Sequence, residues 1–133
     1  MATVETVYIG GLRTTNTHLQ SGTQIITDAP TDNQGKGEAF SPTDLLATSL
    51  GTCMLTTMAI RTAKDGIDMD GATCVITKIM AANPRRVAQI EINIKFPKEY
   101  TDAQKALLED AALTCPVYYS LHPDLVKIVD FGW

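Results

Sequence analysis

Alternating, β-branched positions occupy the first quarter of the chain. Val4-Glu5-Thr6-Val7-Tyr8-Ile9 precedes Gly10-Gly11, and Leu12-Arg13-Thr14-Thr15-Asn16-Thr17-His18-Leu19 follows. A Gly-Gly pair between two such runs predicts a two-residue hairpin, because both turn residues can take positive φ. Ser21-Gly22 makes a second turn before a third strand, Thr23-Gln24-Ile25-Ile26-Thr27. Residues 28–40 form a polar stretch with Asn33-Gln34-Gly35-Lys36-Gly37-Glu38 at its centre. A loop this long in a compact domain is usually functional or disordered.

The period then becomes helical over residues 41–64. Ser41 suits the N-cap, Pro42 the first helical position, and Asp44 stands three residues after the cap. Gly66 suits the C-terminal stop. Leu45, Leu46, Leu50, Cys53, Met54, Thr57, Met58 and Ile60 spread around much of the cylinder, and no charge falls between Asp44 and Arg61. A helix that is apolar or neutral on most sides is buried on most sides. One small sheet covers only one face, so the pattern implies a second subunit and an obligate homodimer.

Alternation returns at residues 72–80, breaks at Asn83-Pro84, and resumes at 87–96, where Ile90, Ile92, Ile94 and Phe96 share one face. Thr101-Asp102-Ala103-Gln104 is a capping box for a helix to about residue 113. Cys115-Pro116 opens a short third helix to about 121, and residues 125–131 read as a final strand. The order is β-β-β-α-β-β-α-α-β. Strands grouped as hairpins, not alternating with helices, predict an α+β fold: an N-terminal β-meander, a long buried central helix, a second hairpin, two helices and a closing strand. With 133 residues and no internal repeat, the chain is expected to be a single domain, 1–133.

Composition narrows the function classes. Net charge is −4, and the basic residues are scattered apart from Arg85-Arg86, which argues against nucleic acid. The most apolar segment, 45–63, is interrupted by threonines, Ser49, Gly51 and Arg61, which is too polar for a membrane span. The start, Met1-Ala2-Thr3-Val4-Glu5, has neither a basic nor an apolar leader region, so a cytoplasmic location is expected. Three cysteines in such a chain point to free thiols in a reducing compartment. Their spacing is not that of zinc ligands and only His18 and His122 accompany them, so no metal is expected.

The cysteines carry the candidate chemistry. Cys53 lies mid-helix, eleven positions after Pro42, where the helix dipole does little for it and apolar burial disfavours the thiolate. A functional thiolate there needs a cation from outside the helix. Arg61 on the same helix is about 12 Å further along by rise, too far to touch it. Taken alone, Cys53 reads as a small core hydrophobe before it reads as a nucleophile. Cys115 stands at an N-cap-like position before Pro116, where the helix N–H groups are expected to lower a thiol pKa, although simple capping explains it equally. Cys74, between Thr73 and Val75 in a strand, reads as structural. His122, before Pro123, reads as a capping residue rather than a proton carrier.

The run Ser41-Pro42-Thr43-Asp44-Leu45-Leu46-Ala47-Thr48-Ser49-Leu50-Gly51-Thr52-Cys53 resembles the OsmC/Ohr family, osmotically induced and organic-hydroperoxide-resistance proteins. Their helix carries S/N-P-x-[ED]-L-[LF]-x(6)-C and a Cys-Pro motif follows downstream, here Cys115-Pro116. Gly10-Gly11-Leu12-Arg13, the glycine-rich loop and the capped second helix agree. The resemblance spans nearly the whole chain and is closest to the compact OsmC-like branch. It implies an intertwined α+β homodimer with two sites at the subunit interface. It also implies a thiol peroxidase that reduces organic hydroperoxides without metal, haem or flavin and is recharged by a dithiol reductant. By position, Cys53 would be the peroxidatic thiol, Cys115 the resolving thiol and Arg13 the catalytic arginine. One position departs: ten residues before Cys53, where the family has the glutamate that orients the arginine, stands Thr43. Asp44 is rotated from it by about 100° on the helix, and Glu38 in the preceding loop is the candidate substitute. That departure keeps open a second reading, a non-catalytic OsmC-like protein that binds a small apolar ligand at the dimer interface.

Overall fold

Three antiparallel strands open the chain in sequence order: β1 (Val4–Gly10), β2 (Arg13–His18) and β3 (Gln24–Asp28). The computed structural model describes residues 1–133, which form two compact units, Met1–Leu45 and Leu46–Trp133. In the first unit the hairpin turn sits one residue later than Gly10-Gly11 suggests. Gly10 pairs with Arg13, so Gly11 and Leu12 make the turn, with φ of 62° and 64°. Leucine is uncommon in this region. Its backbone N–H is held by the Tyr8 hydroxyl at 3.3 Å. Gly10 also has positive φ and adjoins an irregularity in the pairing between Tyr8 and Gly10, which absorbs the extra residue.

Register then sets Arg13 opposite Asp28. Thr17 pairs with Gln24, Thr15 with Ile26, and Arg13 with Asp28 at the far end of β2–β3. The loop beyond Asp28 makes one 3-10 turn, Thr31–Asn33, and returns at Phe40 to bridge Thr27. The Asp28 N–H donates to the Phe40 carbonyl at 3.1 Å, so the loop is tied at both ends.

Helix α1 (Pro42–Thr62) starts at a reciprocal cap. The Asp44 N–H donates to Ser41 Oγ at 3.0 Å, and the Ser41 N–H donates to Asp44 Oδ2 at 2.9 Å. A 3-10 turn, Ala63–Asp65, and Gly66 at φ 67° end it. Its buried stripe is Ala47, Leu50, Gly51, Met54, Thr57, Met58 and Thr62, at i, i+3 and i+4 spacing.

The second unit holds a second sheet, ordered β4 (Thr73–Ala81), β5 (Arg86–Lys95), β6 (Val126–Gly132). β4 and β5 are antiparallel, whereas β6 runs parallel to β5. A parallel neighbour needs a crossover, and α2 (Asp102–Leu113) with α3 (Pro116–Ser120) supplies it. The expected capping box at Thr101 and Gln104 closes at 3.2 and 3.0 Å. Ile90, Ile92 and Ile94 form the inner face of β5, with Ile92 between Ile76 and Val129. They join Leu50, Met54 and Met58 of α1 and Leu108, Ala111 and Ala112 of α2 in one core. Burying each of the larger side chains contributes about 1.5–3 kcal/mol. Gly51 lets α1 approach β4: a Cβ there would fall 2.4 Å from Ile76 Cδ1 and 3.0 Å from Cys74 Sγ. The architecture is α+β, and no helix is long and apolar enough to cross a membrane.

Candidate redox site

In the second unit, α1 presents Cys53 from its middle turn, half-buried, with Sγ 3.8 Å from Thr57 Oγ1 one turn on. Cys115 caps α3 in extended conformation, φ −76° and ψ 153°, and its side chain is fully buried. The Cys53 thiol lies near enough to Cys115 to act on its protonation.

Position at a helix start suggests a lowered Cys115 thiol. The structure gives the opposite. Burial is the largest influence and raises the Cys115 pKa above its ordinary value. The Tyr118 N–H pulls it down, the Cys53 thiol raises it further, and the Val117 N–H lowers it. Those N–H groups face the sulfur without closing a capping hydrogen bond. A five-residue helix whose first position is proline has little N-terminal field to offer, so desolvation wins. Cys74 lies on β4 against Gly51, and burial likewise raises its pKa.

In the first unit, Arg13 is held by two carboxylates. Nη2 donates to Glu38 Oε2 at 2.7 Å and to Asp28 Oδ2 at 3.3 Å. Asp28 Oδ2 also accepts the Glu38 N–H at 3.1 Å, so the loop backbone, the strand end and the guanidinium are locked together. This backbone hydrogen bond is the main cause of a lowered Asp28 pKa; burial opposes it, and the Arg13 charge adds to the lowering. The Glu38 hydrogen bond likewise strengthens the protonated Arg13. Asp28 Oδ1 is buried without a hydrogen-bond partner. Thr43 instead turns its hydroxyl to Ser41 Oγ, 3.2 Å away.

Asp28 is the residue that sequence reasoning passed over. The Ser21-Gly22 turn misplaces it: as a two-residue turn it would pair Arg13 with position 30, whereas the four-residue loop 19–22 pairs Arg13 with Asp28. A lone Asp before Ala29-Pro30 reads as an ordinary turn residue, which hid it. His122 sits in a local turn, its Nδ1 accepting the Asp124 N–H at 3.0 Å. No three His, Cys, Asp or Glu side chains come together as a metal site.

The sequence model of the family described as OsmC-like protein matches residues 35–128. A crystal structure from Psychrobacter arcticus 273-4, of a candidate osmotic-stress-induced and detoxification-response protein, is 53% identical, with a TM-score of 0.96 over 99% of this chain and 96% of that one. The organic hydroperoxide resistance protein OsmC of Legionella pneumophila is 14% identical, with a TM-score of 0.77 over 100% of this chain and 98% of that one. An OsmC-like protein of Mycoplasma pneumoniae gives 16% and 0.77, over 97% and 92%. No curated protein matches the chain at a significant level.

Proposed function

Because the chain belongs to the OsmC-like protein family, we propose that it is a dimeric thiol peroxidase that reduces organic hydroperoxides in stress defence. The observation that most supports this reading is that the Cys53 thiol on α1 lies near enough to the buried Cys115 thiol at the start of α3 to act on it. Relatives of the same fold carry the name organic hydroperoxide resistance protein.

The chemistry runs in three steps. The Cys53 thiolate attacks the distal peroxide oxygen; the O–O bond breaks, Cys53 becomes a sulfenic acid, and the alkoxide leaves as the alcohol after taking a proton. The Cys115 thiolate then attacks that sulfur, forming the disulfide and releasing the hydroxyl oxygen, as water once protonated. A dithiol reductant takes the disulfide back to two thiols and is itself oxidised. The cation that favours the Cys53 thiolate in this reading is Arg13, with Glu38 and Asp28 orienting it.

The alternative, ligand binding without turnover, drew on Thr43 standing where a glutamate is expected. Arg13 is oriented by Glu38 and Asp28 without that glutamate, which weakens the alternative.

Treatment with cumene hydroperoxide followed by mass spectrometric thiol mapping tests the assignment. A Cys53–Cys115 disulfide is expected, with Cys74 reduced. Cys53→Ser should abolish peroxide consumption, whereas Cys115→Ser should leave the first turnover and trap a sulfenic acid that over-oxidises. Arg13→Ala should move the pH dependence of Cys53 alkylation upward, and Glu38→Ala less so. Both cysteines staying free, together with thermal stabilisation by an apolar ligand, would instead establish the binding reading.

A further inference from the structure

Arg61, in the last turn of α1, reaches across to the junction of α2 and α3. Its Nη1 donates to the Thr114 hydroxyl and its Nη2 to the Thr114 carbonyl at 3.0 Å. The Thr114 hydroxyl passes the link on, donating to the Asp110 carbonyl of α2 at 2.6 Å. Thr114 is the C-cap of α2, and the next residue, Cys115, is the N-cap of α3. The guanidinium therefore grips both the side chain and the backbone of the residue that sets where Cys115 stands.

We propose that Arg61 is a positioning residue for the second thiol, a tether that holds Cys115 in register with Cys53. Cys53 and Arg61 lie on one helix, eight positions apart, or about 12 Å of rise. The element that presents the first thiol thus also fixes the segment that presents the second. α3 is only five residues long, too short to hold an orientation by its own helical stability. A planar guanidinium suits this task because it satisfies two acceptors with one fixed fork, whereas a lysine ammonium reaches them as a point charge. Arg61 itself is exposed and borders a groove of about 360 Å³ that also includes Leu107 and Asp110. Its removal opens no void in the core.

The role of the tether in turnover rests on the peroxidase reading, but the tether can be measured without peroxide. In glutathione redox buffers, the fraction of Cys53–Cys115 disulfide reports how well the two sulfurs are held together. Arg61→Ala should lower that equilibrium constant about tenfold, with Arg61→Lys between it and the unsubstituted protein. Thr114→Val, which keeps the side-chain shape and removes the hydroxyl, should also fall between them. In rapid mixing with cumene hydroperoxide, Arg61→Ala should form the Cys53 sulfenic acid at the unsubstituted rate. Its condensation with Cys115 should be slowed about tenfold, with more sulfinic acid accumulating. A tether that merely stabilised the helix would slow both steps or neither. An unchanged equilibrium constant together with unchanged condensation in Arg61→Ala would overturn the proposal, as would equal slowing of both steps. A Cys53 that never forms a sulfenic acid would defeat the peroxidase reading alone, and the glutathione equilibrium would still decide the tether.

Discussion

At the scale of single residues, the two thiols are unequal because their surroundings are. Cys115 is buried and its thiol is raised, yet condensation with a sulfenic acid requires its thiolate. The rate of disulfide formation from preformed Cys53 sulfenic acid should therefore keep climbing above pH 9, past the ordinary cysteine value of 9.0. Rapid mixing at fixed peroxide and stepped pH measures it, and a plateau below pH 8 would contradict the burial argument. Asp28 behaves in the opposite sense. Its folded-state pKa is depressed below 3.8, chiefly by the Glu38 N–H. The carboxylate therefore stabilises the folded state fully above the unfolded value, and that stability is lost as pH falls through the lower folded value. Asp28→Asn should melt below the unsubstituted protein at pH 7, and the gap should close as pH falls from 3.8 through the lower folded value. A gap that stays constant across that range would mean that Asp28 acts by shape rather than by charge.

At the scale of elements, the order of strands and helices was legible because capping chemistry and periodicity agreed with it. Ser41 with Asp44, and Thr101 with Gln104, close in space as their spacing predicts. The β5 inner face was legible from Ile90, Ile92 and Ile94 alone. What sequence left dark was pairing: that β6 joins β5 in parallel, and that Arg61 grips Thr114 from 53 positions away. Neither has a local signal, since both depend on where the chain returns. Leu12 took the turn position expected of Gly10 because an irregularity in the pairing shifted the register. The Arg13–Asp28 pairing was hidden too, because Ser21-Gly22 as a two-residue turn would set Arg13 opposite position 30. Gly51 gives the element-scale test. Alanine there gains about 1 kcal/mol of helix propensity. Its Cβ, however, would sit 2.4 Å from Ile76 Cδ1 and 2.9 Å from Cγ1, and overpacking costs about 1–3 kcal/mol. Gly51→Ala should lower Tm by a few degrees. Ile76→Val, which removes Cδ1, should be less harmful in the Gly51→Ala background than alone. Additive effects in that cycle would show that α1 and β4 are not limited by this contact.

At the scale of the whole molecule, the dimer reading rests on the apolar surface that one chain leaves exposed. β1 has no buried residue, and Val7, Tyr8 and Ile9 are exposed by 51, 65 and 54%. Ile25 and Ile26 point to opposite faces of the same sheet, yet are 48 and 50% exposed. A three-stranded sheet with apolar side chains open to water on both faces is a poor unit by itself. Each such side chain gains about 1.5–3 kcal/mol from full burial relative to exposure. α1 shows the same deficit: Leu46 is 39% and Ile60 70% exposed, although the helix carries no charge between Asp44 and Arg61. Apolar exposure spread over a sheet and a helix fits an extensive two-fold interface, in which every residue counts twice. Sedimentation velocity at micromolar concentration should give a single dimer. Ile26→Lys, placing a charge on one face of the open sheet, should release monomer that melts well below the dimer. Scattered exposed side chains would have predicted a charge that passes unnoticed, so a stable, folded monomer of the unsubstituted protein would end the dimer reading.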